Sequence, residues 1–220
     1  MKKILSSIVF AILICSPSYA QISAGISLSE QGFYALGTET NRPGSNNTPG
    51  PITSEAGAFQ DTVTSVFVEY DTGSVIVGID YIPDTIQTPE NKNDQPDGAN
   101  TVKGEFENHL SIYGIVPTPL SGIYVKAGLG MVTLDSITTG ITSKYGEQDT
   151  TFVQLGLGFQ HDADNGVFLR AELAAMAYDD VEATATTGSQ NAASENQTNN
   201  KVKLEDMLSA YGKISIGKTF

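Results

Sequence analysis

The chain has 220 residues, enough for one domain of ordinary size, and carries 25 acidic residues against 12 basic ones. A formal net charge of −13 excludes nucleic acid as a partner, because binding nucleic acid requires a basic surface. The single cysteine, Cys15, lies in a predicted signal segment, which excludes disulfides and cysteine catalysis from the mature protein. No apolar run of about 18 residues follows residue 20, so no transmembrane helix is predicted.

The first twenty residues have the pattern of a secretory signal peptide. Lys2 and Lys3 give a positive start, residues 4–15 are largely apolar, and Ser18-Tyr19-Ala20 is a small-x-small cleavage site. Cleavage would leave 10 basic and 25 acidic residues, a net charge of −15. The sequence therefore predicts export, with residues 1–20 as the signal peptide and residues 21–220 as the mature domain.

Eight segments of the mature chain alternate apolar and polar residues with a period of two, which is typical of β-strands. In the last segment, Leu208, Ile214 and Ile216 share one face, while Ser209 and Ser215 lie on the other. Stretches rich in Gly, Pro, Asn and Ser separate the segments. The predicted strands cover, in chain order, residues 22–40, 59–70, 75–81, 105–113, 123–131, 152–159, 167–176 and 208–220.

The predicted connections alternate strictly between long and short. An up-and-down meander with both ends on one side gives this alternation, and one face of each strand is Val, Ile, Leu and Ala, as lipid requires. Because an open sheet in lipid would leave unpaired edges, we predict an eight-stranded antiparallel transmembrane β-barrel. A soluble β-sandwich or lipocalin-like barrel also alternates, but it would bury its apolar face. The long connections are residues 41–57, 83–103, 137–148 and 181–203, and the short ones are 71–73, 117–121 and 162–166.

The closing strand resembles the last strand of bacterial outer-membrane β-barrels, where a terminal Phe is part of the signal read by the barrel-insertion machinery. The residues that carry this resemblance are Tyr211, Gly212, Ile214, Ile216 and Phe220. The whole pattern is similar to the small eight-stranded families: the OmpA transmembrane domain, OmpX and the opacity-type surface proteins. The resemblance implies an integral protein of the cell outer membrane whose loops meet the outside.

The barrel prediction assigns an aromatic girdle and a polar lumen. Outward Tyr70, Phe159 and Phe220 are expected near the periplasmic boundary, and Tyr81 and Phe106 near the external one. The inward face carries charges that an eight-stranded lumen must pair, so an ion-pair network is expected. This network either holds the barrel closed or lines a narrow, cation-tolerant water path. Its members are Glu69, Asp80, Glu105, Glu107, His109, Lys126, Arg170, Glu172 and Lys213.

Three motifs suggest chemistry. Asp71-Thr72-Gly73-Ser74 spells an aspartic-protease signature, but no second copy exists and a hairpin turn explains it. Residues 162–166 followed by Glu172 miss the EF-hand spacing by one, so a turn is the better interpretation. His109 and Ser111 share a strand face near two Glu residues, as in barrels that deacylate lipid A, but our strand phase puts them in a crowded lumen. No metal site and no cofactor are predicted.

The expected function is a structural or surface-interaction role, carried by the four long external loops. The loop residues 184–200 lack an apolar pattern. Expected partners are outer-membrane lipid and lipopolysaccharide, the insertion machinery and an external surface ligand, with the protein itself a monomer. The alternative is a narrow porin for ions or small solutes, and a lipid acyl-hydrolase using His109 and Ser111 is the third hypothesis. The protein is not expected to be an enzyme.

Overall fold

The computed structural model describes residues 21–40, 52–95, 98–139, 145–185 and 201–220. The predicted signal peptide, residues 1–20, lies outside the described residues. The described part is all β, and it contains no helix long and apolar enough to cross a membrane.

Eight strands of the described chain close into one antiparallel barrel, which confirms the predicted fold class. The strands are β1 (Gln21–Thr40), β2 (Ile52–Asp71), β3 (Ile76–Ile82), β4 (Ile86–Gln87), β5 (Asn91–Gln95), β6 (Gly98–Pro117), β7 (Ile123–Thr139), β8 (Gln148–Asp162), β9 (Val167–Tyr178), β10 (Val181–Thr184) and β11 (Lys201–Thr219). The order around the barrel is β1-β2-β3-β6-β7-β8-β9-β11, and β11 pairs again with β1. Short strands β4 and β5 continue alongside β6, and β10 continues alongside β11.

The apolar face of the barrel points outward and the charged face points inward. Leu173 is 72% exposed and Ile214 is 69% exposed, whereas Glu69, Lys126 and Glu172 are 3%, 3% and 4% exposed. A soluble barrel would have the opposite arrangement, because water would favour burial of the leucines and solvation of the charges. The exterior is therefore a surface made for hydrocarbon.

The strands run further than the sequence predicts at the end of the barrel opposite the termini. Residues 52–57, expected in a loop, pair with β1 from Thr40↔Ile52 onward. The expected loop 83–103 contains β4, β5 and the start of β6, and β7 and β11 are also longer than predicted. Alternation fails here for a physical reason: beyond the lipid belt both strand faces meet water, and residues 54–58 are all exposed. Pairing with a long neighbour holds these extensions in place.

Two β-bulges change the phase of β6 and β11, and one of them overturns three predictions. Asn108 has φ 54°, Asp206 has φ 51°, and the pairing register shifts beside each. Asn and Asp tolerate this left-handed conformation better than other non-glycine residues. One extra residue turns every later side chain to the other face. Phe106 is therefore buried inside the barrel instead of joining the outer girdle, and Glu105 and Glu107 lie on the outer face rather than in the lumen network.

Lumen aromatics pack directly over glycines on the neighbouring strand. Tyr124 is paired in register with Gly158, where an added Cβ would lie 2.1 Å from the Tyr124 ring. The missing side chain gives the ring its space, and the ring covers the bare backbone. The same arrangement pairs Tyr113 with Gly78, Phe67 with Gly25, Phe152 with Gly130 and Phe168 with Gly217.

We expect Gly158→Ala to destabilise the barrel by about 1–3 kcal/mol, because the new methyl group overlaps the Tyr124 ring. Gly114→Ala is the matched control, since an added Cβ there meets only Val75, at 3.8 Å. The measurement is the urea midpoint of the refolded protein, with heat-modifiable gel migration reporting the folded fraction. Equal midpoints for the two variants would contradict this packing.

Candidate functional site

The lumen is divided along its length into a charged section and an apolar section. The charged section lies towards the termini and contains Glu69, Asp80, Lys126, Arg170, Glu172 and Lys213, all buried. The apolar section lies towards the long connections. Strand alternation brings these side chains together, because each of the eight strands turns every second residue inward.

Arg170 of β9 and Glu69 of β2 form the shortest ion pair of the charged section. The guanidinium nitrogens Nη1 and Nη2 donate to the two Glu69 oxygens at 2.6 Å and 3.0 Å, a bidentate geometry. The Tyr113 hydroxyl donates to the same carboxylate at 2.7 Å. Arg170 also donates to Gln160 Oε1, and its guanidinium carbon lies 5.0 Å from the Phe168 ring centroid. Both carboxylate oxygens of Glu69 are thus occupied.

Glu172 of β9 is the centre of a second cluster. Lys126 Nζ lies 3.0 Å from Glu172 Oε1, the Tyr211 hydroxyl donates to the same oxygen at 2.8 Å, and the Tyr124 hydroxyl donates to Oε2 at 2.9 Å. The ammonium of Lys126 also lies 4.1 Å from the centre of the Tyr113 ring, close enough for a cation–π contact. This shared ring links the Glu172 cluster to the Glu69 cluster.

The third pair joins the closing strand to β3. Lys213 Nζ donates to Asp80 Oδ2 at 2.9 Å, and the Ser65 hydroxyl donates to the same oxygen at 3.2 Å. Each of the three buried carboxylates therefore has one cation and at least one hydroxyl donor. Removal of either partner would leave a buried charge without compensation.

The apolar section fills the lumen above these ion pairs. Phe33 stacks on Phe59 with centroids 4.7 Å apart, and Phe106 lies 5.4 Å from Phe33. Two-residue alternation does not predict this section, because the bulge at Asn108 inverts the phase of β6 and the inner face here is apolar instead of polar. The buried members are Phe33, Val63, Ile82, Ile86, Phe106, Val132, Leu134, Phe152, Met176, Tyr178, Val181, Met207 and Tyr211.

His109 and Ser111 both face the lumen and are 3% and 4% exposed. The His109 ring stacks on Phe152 with centroids 4.6 Å apart, and none of the described residues offers its Nε2 a hydrogen bond. Neither side chain reaches the lipid-facing surface where an acyl chain would lie. Within the described ranges, no group of three His, Cys, Asp or Glu residues is arranged to hold a metal ion.

The two loop motifs are turns. In the first, the Gly73 N–H donates to Asp71 Oδ1 at 2.7 Å, and Gly73 has φ 89°. In the second, Gly166 has φ 79° and its N–H donates to the Ala163 carbonyl at 3.0 Å. Glu172 points into the lumen to Lys126, so it is not a ligand of the second turn.

The remaining predicted residues lie mainly on the outer wall. Tyr81 and Phe159 are exposed to the lipid side, and Tyr70 is half-buried. Ile214, Ile216 and Phe220 of the closing segment face outward. Tyr211 is different, since it points inward to Glu172, and Gly212 is half-buried beside it. The outer wall also has an apolar groove of about 670 Å³, whose lining includes Leu155, Leu157, Leu173, Ala175, Ala210 and Gly212.

A closed barrel with hydrocarbon-facing aliphatic residues outside and paired charges inside is stable only in a membrane. The chain is an integral β-barrel protein of the outer-membrane type, and its place is the cell outer membrane.

One solved outer-membrane protein shares this fold. The structure is similar to the outer membrane protein OprG from Pseudomonas aeruginosa, with 16% identity over 90% of this chain and 97% of that chain and a TM-score of 0.54. Ail, the attachment invasion locus protein of Yersinia pestis, has 11% identity over 91% and 99% of the two chains and a TM-score of 0.42. Neisserial surface protein A has 11% identity over 88% and 97%, with a TM-score of 0.41. Neither a protein-family model nor a curated protein matches the chain.

We expect Arg170→Leu to destabilise the folded barrel by about 3–5 kcal/mol, because it leaves the Glu69 carboxylate buried without a cation. The double variant Glu69→Leu/Arg170→Leu removes both charges and should lose less stability than Arg170→Leu alone. Urea unfolding in detergent micelles measures both. The control is Lys201→Ala, which breaks an exposed pair with Glu182 and should change the midpoint little. A double variant that is less stable than the single one would contradict this account of the pair.

Proposed function

We propose that this outer-membrane protein has a structural or surface-interaction role, carried by its external end rather than by its lumen. The observation that supports this most directly is the filled interior: three carboxylates have their cations and hydroxyl donors, and aromatic residues pack above them. Such an interior stabilises the barrel and leaves its outer surfaces to meet other molecules.

The external end offers a large polar surface for such a role. The Lys201 side chain bonds Glu182 and holds the pKa of that carboxyl below its usual value, so it stays ionised at neutral pH. Glu205 and then Asp180 raise the pKa of Lys203, so this lysine stays charged. These ion pairs lie beyond the lipid-facing part of β9 and β11, on β10, on β11 and at Asp180 just before β10.

In this role the protein makes three kinds of contact and performs no catalysis. Lipid and lipopolysaccharide surround the barrel, an external ligand meets the loops, and the insertion machinery reads the closing strand. For the last of these, the support is the outward side chains of Ile214, Ile216 and Phe220, which give the closing segment an apolar face on the lipid side. The protein acts as a monomer.

Conductance distinguishes the proposed role from the second candidate function, a narrow porin. We expect the purified protein to give no discrete current steps in planar bilayers at neutral pH, because side chains occupy both sections of the lumen. The current of the unaltered protein is compared with that of the double variant Phe33→Ala/Phe106→Ala, which lacks two rings of the apolar section. Steady single-channel steps from the unaltered protein would favour the porin over the proposed role.

The interaction role is tested by replacing residues 186–200 with a short Gly-Ser linker. We expect cells that display this variant to adhere less to host cells or matrix than cells with the unaltered protein. A second variant replaces residues 43–50, in another of the long connections, with the same linker, and heat-modifiable migration checks that both variants fold. Unchanged adhesion in both variants would count against a role for these loops.

A further inference from the structure

Beyond the lipid-facing part of the barrel, β2 has a neighbour on one side only. β1 pairs with the whole of β2, from Thr40↔Ile52 to Gln21↔Asp71. On the other side, pairing with β3 begins only at Val66↔Tyr81, and β4 and β5 follow β6 instead. Among the residues that the structure describes, no strand pairs with this side of residues 52–64.

The direction of the unpaired backbone groups follows from two hydrogen bonds. The Thr72 N–H donates towards β3, to the Val75 carbonyl at 3.1 Å. The Thr62 N–H is not in the ladder with β1 and bonds instead to the Asp61 carboxylate at 2.8 Å. The β1–β2 register has no shift, so alternate residues point the same way. The N–H and C=O groups of residues 54, 56, 58 and 60 therefore point to the free side.

This edge has few of the features that usually prevent strand addition. Natural proteins protect edges with lysine, proline, bulges or short strands, but residues 52–64 contain no Lys, Arg or Pro, and β2 has no bulge. Residues 54–58 are exposed and mostly small, and an added Cβ on Gly57 would meet nothing within 4 Å. The Asp61 carboxylate covers one N–H, and the Thr64 hydroxyl bonds Asp84. The open part is thus residues 54–60.

We infer that residues 54–60 of β2 are a docking edge for an extended, basic peptide segment of a partner protein, which adds to the sheet as a further strand. Backbone hydrogen bonds would supply affinity, as in other cases of strand addition. Charge gives the preference: Glu55 and Asp61 lie on this segment, Asp84 accepts a hydrogen bond from Thr64 beside it, and Arg42 is the only basic residue between positions 21 and 90. This inference rests on the proposed surface-interaction role and names its partner class.

The test uses the full chain, refolded in micelles, and a fluorescent peptide of about ten residues in which Lys alternates with Val. We expect saturable binding, weakened by salt, with amide-exchange protection gained at residues 54, 56, 58 and 60. Ala58→Pro removes one edge N–H without touching the β1 ladder and should weaken binding about tenfold. The matched variant Ala58→Val keeps that N–H and should bind like the unaltered protein.

Several results would overturn the docking edge. They are equal binding by the Pro and Val variants, equal binding of a peptide with Glu in place of Lys, no binding, or protection of these amides before any peptide is added. The last result would mean that the chain covers its own edge. All of these measurements are separate from the loop-replacement experiment, so failure of the docking edge can be distinguished from failure of the surface-interaction role.

Discussion

Hydrocarbon offers no hydrogen-bond partner, and this constraint governs the rest of the structure. Every backbone group in the lipid belt must pair with another strand, so the sheet closes through the β1–β11 ladder. Closure of eight strands encloses a space too narrow for a wide aqueous path, and alternation sends half of each strand into it. The charges that enter must be neutralised there, which explains why Arg170, Lys126 and Lys213 each face one carboxylate.

The same constraint explains why aromatic rings and glycines alternate in the interior. A lumen of fixed width has no room for a large side chain on every strand, so a ring such as Tyr124 lies over a residue without a side chain, Gly158. The tyrosine hydroxyls then reach the buried carboxylates, so one residue type supplies both packing and hydrogen-bond donors. The interior is a packed core of aromatic rings and paired charges.

The sequence predicts the fold well where lipid makes alternation strict and predicts it poorly elsewhere. The inward position of Glu69, Arg170 and Glu172 follows from counting by two. The two-residue alternation does not predict the strands beyond the lipid belt, because both faces of residues 54–58 meet water there. It also assigns the wrong face to the residues before Asn108, because one extra residue inverts the phase. The sequence does contain a signal: Asn108 and Asp206 are residue types that accept a positive φ, and each comes two residues before an apolar stripe begins, at Leu110 and at Leu208. The pairing of each cation with its carboxylate depends on strand register and on side-chain length. The alternation of apolar and polar residues predicts neither the register nor the contact.

The ladder between the first and last strands has a consequence for how the protein forms. It joins residues far apart in the chain, as in the hydrogen bond between Ser23 and Thr219, which are separated by 196 positions. A topology dominated by such distant contacts folds slowly, since a large loss of chain entropy precedes the gain. Until the last strand pairs, a partly formed sheet has two unpaired edge strands and an apolar outer face. Both features favour aggregation, so the partly formed sheet is at risk until the last strand pairs.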